Sequence, residues 1–245
     1  PYLVDQQPLK PNFVVLGNGE NIDANPELTN SPIPQTMYIT CGREICGDLA
    51  AAESREWLVT NGIGGYACGT IAGLLTRYYH GLLMAALKPP LGQTLLLAKL
   101  DETAGCNQQT YPLHTNRWAD GTVYPRGYHH LQSFHLEGTI PVWTFACADA
   151  LLEKRVWMQQ GKNTTYVRYT LKAGSEPIAL SLKALVNYRD RHGGTTVGDW
   201  QVTKIDRGVC LQAFPDAVRL YPFRDFPGCA VITAGVWYEG FDLAI

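Results

Sequence analysis

A two-residue alternation of side-chain character runs through the second half of the chain and constrains its fold more than any other feature. Residues 151–158 and 166–171 change character at every second position, and 160–163 supply turn-forming residues between them. A period of two is typical of β-strands, so these segments predict a β-hairpin. Residues 178–188 repeat the pattern, which predicts a further strand with one buried face and one wetter face.

Further strand candidates follow from short apolar runs bounded by turn residues. They are 139–147, 200–205, 209–214, 217–221 and 230–238. The second half of the chain shows no amphipathic helix of useful length, and no repeat is visible. Many short strands separated by Gly and Pro turns predict an all-β protein, a large antiparallel β-sandwich.

Residues 71–86 are ambiguous, because their apolar positions also fit one face of a helix. Gly69, Gly73 and Gly81 count against a helix, since each costs about 1 kcal/mol in a helix interior relative to Ala. The pattern alone leaves helix and strand open here.

The first 36 residues contain six prolines among Asn and Gly, which excludes long helices and favours extended segments. We expect residues 1–36 to form an irregular N-terminal arm and residues 37–245 to form the β-sandwich domain. The chain begins without Met and stops after an apolar-aromatic run, so we expect a piece of a longer protein.

Charge and hydropathy exclude several partners. Lys plus Arg number 20 and Asp plus Glu 22, so no cationic field attracts nucleic acid. The longest aliphatic run, 82–87, is far shorter than the roughly 20 residues that span a bilayer, and no signal peptide opens the chain. Seven cysteines form no framework of paired spacings. We therefore expect no membrane partner, free thiols and a cytoplasmic location.

Metal and cofactor sites are not expected either. His129, His130 and His135 lie close in sequence, but neither a strand nor a helix brings all three to one ion. The pair Cys41 and Cys46 lacks a second pair at zinc-binding spacing. The Gly-rich stretch 61–70 lacks the acidic residue and the Lys-Ser/Thr ending of nucleotide-binding loops.

Catalytic residues are not assigned. Sugar hydrolysis needs two carboxyl groups about 5 to 10 Å apart on either side of the scissile bond. Asp101 and Glu102 are adjacent, which on a strand sends them to opposite faces, and Glu239 and Asp242 lie near the last residue. No Ser or Cys nucleophile motif is present.

Aromatic residues recur beside planar hydrogen-bonding groups in 77–80, 124–129 and 187–192, and Trp118 lies near Asp120. Aromatic faces stack on the C–H side of a pyranose, and Arg, Asp, Asn and His bond its hydroxyls. The same residues also lock loops, fill sandwich cores and form domain interfaces, so sugar binding is one of several interpretations.

Three motifs that follow one another along the chain carry a family resemblance. Glu56 to Thr70 reads EWLVTNGIGGYACGT, 76–83 reads TRYYHGLL, and 187–190 reads NYRD. Together they resemble the N-terminal domain of bacterial-type glycogen debranching enzymes, the amylo-α-1,6-glucosidases, over roughly residues 50–245. Cys68 stands where the family pattern has a small Ser or Ala, and Tyr78 where it has a basic residue.

The resemblance implies a β-supersandwich that precedes an (α/α)6 toroid, and it favours strands over 71–86. The toroid would carry the catalytic carboxylates, so this chain is expected to be the non-catalytic N-terminal domain. Its expected partners are that C-terminal catalytic domain and the α-glucan. The candidate substrate-binding or domain-interface residues are Arg77, His80, Arg126, Arg189 and Asp190. The residues expected to hold the glycine-rich turn are Trp57, Asn61, Gly62, Gly64 and Gly65.

Two other functions remain open at this point. A stand-alone α-glucan-binding module would bind maltooligosaccharide by itself. A complete small hydrolase would release glucose from a branched limit dextrin, with Asp101, Glu102 and Glu239 as its candidate acids.

Overall fold

The structure is a computed structural model that describes residues 12–17, 39–89, 91–194, 200–205 and 208–224. Two short helices, α1 (Arg43–Cys46) and α2 (Leu49–Glu53), and a 3₁₀ turn, Gly127–His130, accompany the strands. In chain order the strands are β1 (Asn12–Gly17), β2 (Thr40–Cys41), β3 (Glu56–Thr60), β4 (Tyr66–Thr70), β5 (Gly81–Lys88), β6 (Leu91–Cys106), β7 (Gln109–Pro112), β8 (Thr115–Arg117), β9 (Val123–Arg126), β10 (Leu131–Glu137), β11 (Ile140–Cys147), β12 (Ala150–Met158), β13 (Thr164–Ala173), β14 (Ala179–Asp190), β15 (Gln201–Ile205), β16 (Gly208–Gln212) and β17 (Tyr221–Arg224).

These strands form two antiparallel sheets and a small hairpin. The nine-stranded sheet has the order β15-β16-β17-β1-β13-β12-β11-β10-β2. The six-stranded sheet has the order β14-β6-β5-β4-β3, with β7 paired to one end of β6, and β8 pairs with β9 separately. The predicted all-β antiparallel sandwich is confirmed.

The two sheets pack face to face around one apolar core. Trp57 of β3 meets Trp143 of β11 edge to face, with ring centroids 5.3 Å apart. The Trp143 indole N–H donates to the carbonyl of Ile71 at 3.1 Å, and Phe134 packs on the same ring. Both tryptophans are buried, so this contact joins β3, at the edge of the six-stranded sheet, to β11, a central strand of the nine-stranded sheet.

The period-two segments form the strands that their pattern predicts. The hairpin is β12 and β13, paired antiparallel with Trp157 opposite Tyr166. Residues 178–188 lie almost entirely in β14, and 139–147, 200–205 and 209–214 coincide closely with β11, β15 and β16. The candidate at 230–238 lies outside the described residues.

The strand predicted at 217–221 is wrong. Ala217 donates its N–H to the carbonyl of Phe214 at 2.9 Å and closes a turn, and the Gln212 side chain caps the carbonyls of Pro215 and Ala217. The strand, β17, begins only at the end of this segment, at Tyr221.

The ambiguous segment 71–86 contains no helix, and the strands that the resemblance favours there are wrong for residues 71–80 and confirmed only from Gly81. A turn and an irregular loop occupy residues 71–80, and β5 begins at Gly81. Residues 81–86 are buried on both faces of β5, which explains why they show no alternation.

The N-terminal arm contributes one strand to the sandwich. Asn12–Gly17 pairs antiparallel with β13 on one side and β17 on the other. The other residues of 1–36 lie outside the described ranges, and the domain boundary at residue 36 stays a prediction. In the part of the chain that the structure describes, no helix is long and apolar enough to cross a bilayer.

Candidate functional site

The glycine-rich turn between β3 and β4 is built around the side chain of Asn61, which is fully buried. Its Oδ1 accepts from the backbone N–H groups of Ile63 at 3.1 Å and Gly65 at 2.9 Å. Its Nδ2 donates to the carbonyl of Lys162 at 3.0 Å and to Oδ1 of Asn163 at 3.1 Å. One amide thus fixes its own turn and ties it to the β12–β13 turn.

Asn163 extends this network into the six-stranded sheet. Its Oδ1 accepts from the N–H of Ala86 at 2.9 Å, and its Nδ2 donates to the carbonyl of the same residue at 2.9 Å. The sequence predicts a turn at 160–163 but gives no sign that its last residue bonds a strand 77 positions away.

Two of the glycines adopt backbone conformations that other residues avoid, and a third is required by close approach. Gly62 has φ +77° and Gly64 φ +98°, both in the left-handed region. A Cβ on Gly65 would lie 2.5 Å from Nδ2 of Asn61, so a side chain there would disrupt the network. The carbonyl of Gly64 accepts from Nε2 of Gln93 at 2.6 Å, which connects the turn to β6.

A row of paired residues crosses the six-stranded sheet from this turn to β14. Thr60 pairs with Tyr66, Tyr66 with Met84, Met84 with Leu95, and Leu95 with Arg189. Directly opposite residues share a face. That face points away from the nine-stranded sheet, because Thr60 lies three positions after the inward-facing Trp57 on one strand. We call it the outer face.

Arg189 near the end of β14 and Arg191 just after it hold two exposed tyrosines on the outer face. The buried Arg189 donates to the carbonyls of Asp190 at 3.3 Å and Arg191 at 3.2 Å, and to that of Tyr78. Its guanidinium lies 5.5 Å from the Tyr78 ring centroid, and that of Arg191 lies 4.8 Å from the Tyr79 ring. These are cation–π distances. We call Tyr78 and Tyr79 the tyrosine platform.

Cys68, His192 and Gln93 also hold the platform in place. The Cys68 thiol donates to the carbonyl of Tyr79 at 3.2 Å, and burial raises the pKa of this thiol to about 12, so it stays protonated. The Tyr79 hydroxyl lies 3.4 Å from Nδ1 of His192, whose ring meets the Tyr79 ring edge to face. Arg191 donates to Oε1 of Gln93 at 2.6 Å, which completes the connection to Gly64.

Glu56 stands between Arg77 and His80 at the edge of this surface. Arg77 is exposed and donates from Nε to Oε1 of Glu56 at 2.6 Å. The His80 ring is buried: its Nδ1 accepts from the N–H of Thr76 at 3.1 Å, and its Nε2 lies 3.3 Å from Glu56 Oε1. Burial lowers the pKa of His80, so the ring is neutral near pH 7 and carries its proton on Nε2.

The carboxylates Asp101 and Glu102 point to opposite faces of β6. Glu102 points between the sheets, where its Oε1 accepts from Nζ of Lys154 at 2.5 Å and from the hydroxyl of Tyr169 at 2.9 Å. Asp101 lies on the other face, 3.1 Å from Nζ of Lys99. Both acids are buried in ion pairs and do not face a common space, so they do not form the pair that glycoside hydrolysis needs. Glu239 and Asp242 lie outside the described residues.

A family model described as glycogen debranching enzyme N terminal matches residues 55–245, more than half of the chain. The chain belongs to this family. Comparison with curated proteins and with solved structures gave no match.

In this debranching-enzyme domain, the structure brings together four of the five candidate substrate-binding or interface residues. Arg77 and His80 share Glu56, while Arg189 and Asp190 lie at the end of β14 against the same loop. Arg126 is not part of this group: it lies on β9 and donates from Nε to the carbonyl of Val123 at 3.2 Å.

The residues expected to hold the glycine-rich turn divide into two groups. Asn61, Gly62, Gly64 and Gly65 lie in the turn itself, whereas Trp57 lies in the core beneath β3. Sequence reasoning missed Gln93 and Asn163, which connect the turn to β6 and β5. No local signal marks either residue, since both act through partners far away in the chain.

The three neighbouring histidines go to three different surroundings. His129 stacks on Tyr128 in the 3₁₀ turn, His130 meets the edge of Tyr111, and His135 lies on β10 beside Glu137. The segment is therefore a turn followed by a strand, and not one continuous element. Within the ranges described above, no three His, Cys, Asp or Glu side chains are placed to hold a metal ion.

Proposed function

We propose that this chain is the non-catalytic N-terminal domain of a glycogen debranching enzyme that hydrolyses α-1,6 branch linkages. In this proposal the domain packs on a C-terminal catalytic (α/α)6 domain and borders the glucan cleft with its outer face. We also propose a cytoplasmic location, on the cysteine pattern of the sequence. The family match supports the debranching enzyme itself.

One observation carries the role of the outer face. The three motif segments, 56–70, 76–83 and 187–190, are far apart in sequence but meet there, because Arg77 bonds Glu56 and Arg189 bonds the carbonyl of Tyr78. The resulting surface combines exposed aromatic rings with guanidinium and carboxylate groups. That combination suits both a carbohydrate and a polar domain interface.

The non-catalytic role is supported by the state of the acids on β6. A general acid must deliver a proton to a bound sugar, and a nucleophile must reach it. Glu102 is enclosed between the sheets by Lys154 and Tyr169, and Asp101 is held by Lys99. Neither carboxylate is open to a substrate.

The test is a glucose-release assay on a branched limit dextrin. The 245-residue chain alone is expected to release no glucose above a buffer blank, whereas the debranching enzyme that carries this domain together with its catalytic domain is expected to release it. Release by the chain alone, and its loss in Glu102→Gln, would instead establish a complete hydrolase.

A stand-alone α-glucan-binding module is the second candidate, and the exposed tyrosine platform is the observation that favours it. Tyr78 and Tyr79 are 43% and 40% exposed. Calorimetric titration of the 245-residue chain with maltoheptaose separates the two. Binding by the chain alone as tight as that of the whole debranching enzyme favours the module. Much weaker binding, or no heat at about 10 mM sugar, favours the cleft-bordering domain.

A further inference from the structure

The tyrosine platform has the form of a preorganised stacking surface. Each ring has a guanidinium above it, and about two-fifths of each residue is exposed to solvent. Large exposed rings on a soluble domain lose water favourably when an apolar face covers them. The C–H face of a glucose ring is such a surface.

The platform is held before any ligand arrives. Arg189 is buried and bonded to three backbone carbonyls, among them that of Tyr78, and the Cys68 thiol bonds the carbonyl of Tyr79. Binding to a surface that is already fixed loses little conformational entropy. A rigid pair of neighbouring rings therefore favours a repeating, ring-shaped ligand.

Charge around the platform favours a neutral ligand over an anion. Arg77 is paired with Glu56, Arg189 is occupied by carbonyls, and Arg191 donates to Gln93. The carboxylate of Asp190 is exposed beside them and accepts from the N–H of His192 at 2.9 Å. A phosphate group would find these guanidinium groups already paired, and the Asp190 carboxylate would repel it.

We propose that Tyr78 and Tyr79 form a stacking subsite for the α-1,4-linked outer chain of the branched glucan, at a distance from the bond that is cleaved. This inference rests on the proposed function, since it places the chain of the same substrate on the outer face. The exposed carboxylate of Asp190 supplies an acceptor for its hydroxyls.

The test uses the debranching enzyme that carries this domain and compares two substrates. One is a limit dextrin with long outer chains, and the other is a maltotetraose with a single α-1,6-linked glucose, which is too short to extend to a remote subsite. The Tyr78→Ala/Tyr79→Ala variant should raise KM for the long-chain substrate about tenfold, which corresponds to a loss of about 1.4 kcal/mol of binding free energy. Its kcat, and both constants for the short substrate, should stay unchanged.

Two controls separate stacking from other effects. Phe214→Ala removes a different exposed ring, 48% exposed, and should leave KM for both substrates unchanged. Tyr78→Phe/Tyr79→Phe keeps both rings and should keep most of the affinity. If the alanine variant loses folding stability, the phenylalanine variant and single alanine variants carry the comparison.

Two outcomes would overturn the inference, and a third separates it from the proposed function. Unchanged KM for the long chain removes the subsite. A fall of kcat on both substrates makes the platform a docking face for the catalytic domain, and leaves the proposed function intact. If the parent enzyme cleaves no α-1,6 bond, the proposed function fails. The subsite is then tested by titrating the 245-residue chain with maltoheptaose. Binding that the alanine variant abolishes supports the subsite, and no binding refutes the subsite.

Discussion

Replacing Asn61 by Ala tests whether one buried amide organises the glycine-rich turn. The change removes an acceptor for the N–H groups of Ile63 and Gly65 and a donor for Lys162 and Asn163, four hydrogen bonds of 2.9 to 3.1 Å in all. Alanine leaves the backbone able to keep its path but supplies no replacement partner.

The expected cost follows from those four bonds. Each intramolecular hydrogen bond contributes a net stabilisation of about 1 kcal/mol, and a buried partner left without one costs about 1–3 kcal/mol. The free energy of unfolding should therefore fall by roughly 3–4 kcal/mol. For a domain of this size, each kcal/mol lowers Tm by about 2–4 °C, so a fall of roughly 10 °C is expected.

Urea unfolding followed by far-ultraviolet circular dichroism measures this loss. Gln201→Ala removes an amide from an exposed position on β15 and should change stability by less than about 0.5 kcal/mol. In a double-mutant cycle, Asn61→Ala and Asn163→Ala should couple by at least about 0.5 kcal/mol, because the two side chains bond each other. A loss below about 1 kcal/mol for Asn61→Ala, with additive effects in the cycle, would refute the reasoning.

Three further predictions use the same unfolding assay. Gly65→Ala places a Cβ 2.5 Å from the buried amide of Asn61 and should lower the free energy of unfolding by about 1–3 kcal/mol. At Gly194 an added Cβ has no atom within 4 Å, so Gly194→Ala should lower it by less than about 0.5 kcal/mol. Lys154→Met leaves Glu102 buried without its ammonium partner and should cost about 3–5 kcal/mol; a loss under about 1 kcal/mol would contradict the buried ion pair. Burial and Glu102 raise the pKa of Tyr169. Its neutral hydroxyl therefore contributes fully to the free energy of unfolding well below about pH 10, the ordinary pKa of tyrosine, and this contribution falls as the pH rises above that value. Tyr169→Phe should reduce that fall, and an equal fall in both proteins would contradict it.

The strands were predictable where one face is buried and the other is wet. Residues 151–171 show the alternation because β12 and β13 lie in the middle of the nine-stranded sheet. One face of these strands packs on the core, and the opposite face carries half-buried charged residues such as Arg155. Where both faces are buried, as along 81–86, the alternation disappears and the sequence fits a helix equally well. At 217–221 the apolar run was visible, but the turn closed by Gln212 was not.

The candidate site was predictable only in its parts. The motifs that contain Arg77 and Arg189 stand out in the sequence, but nothing local shows that a guanidinium at 189 bonds a carbonyl 111 positions earlier. That contact depends on the row of pairs from β3 to β14, which is a property of sheet order. Arg126 carries the same kind of side chain beside aromatic residues, yet β9 belongs to a separate hairpin, so composition alone cannot separate it from the others.

The cavity between the two sheets is too small to be the glucan site that we propose. The cavity there, lined by Trp57, Trp143, Glu102 and Lys154 among others, has a volume of about 50 Å³. That volume holds a few water molecules and is far below the roughly 300 Å³ of small-molecule pockets. Its polar groups are already paired with each other, since Glu102 accepts from Lys154 and Tyr169. A sugar ring does not fit into this volume, so the glucan contact that we propose lies on an outside surface of the sandwich and not in this cavity.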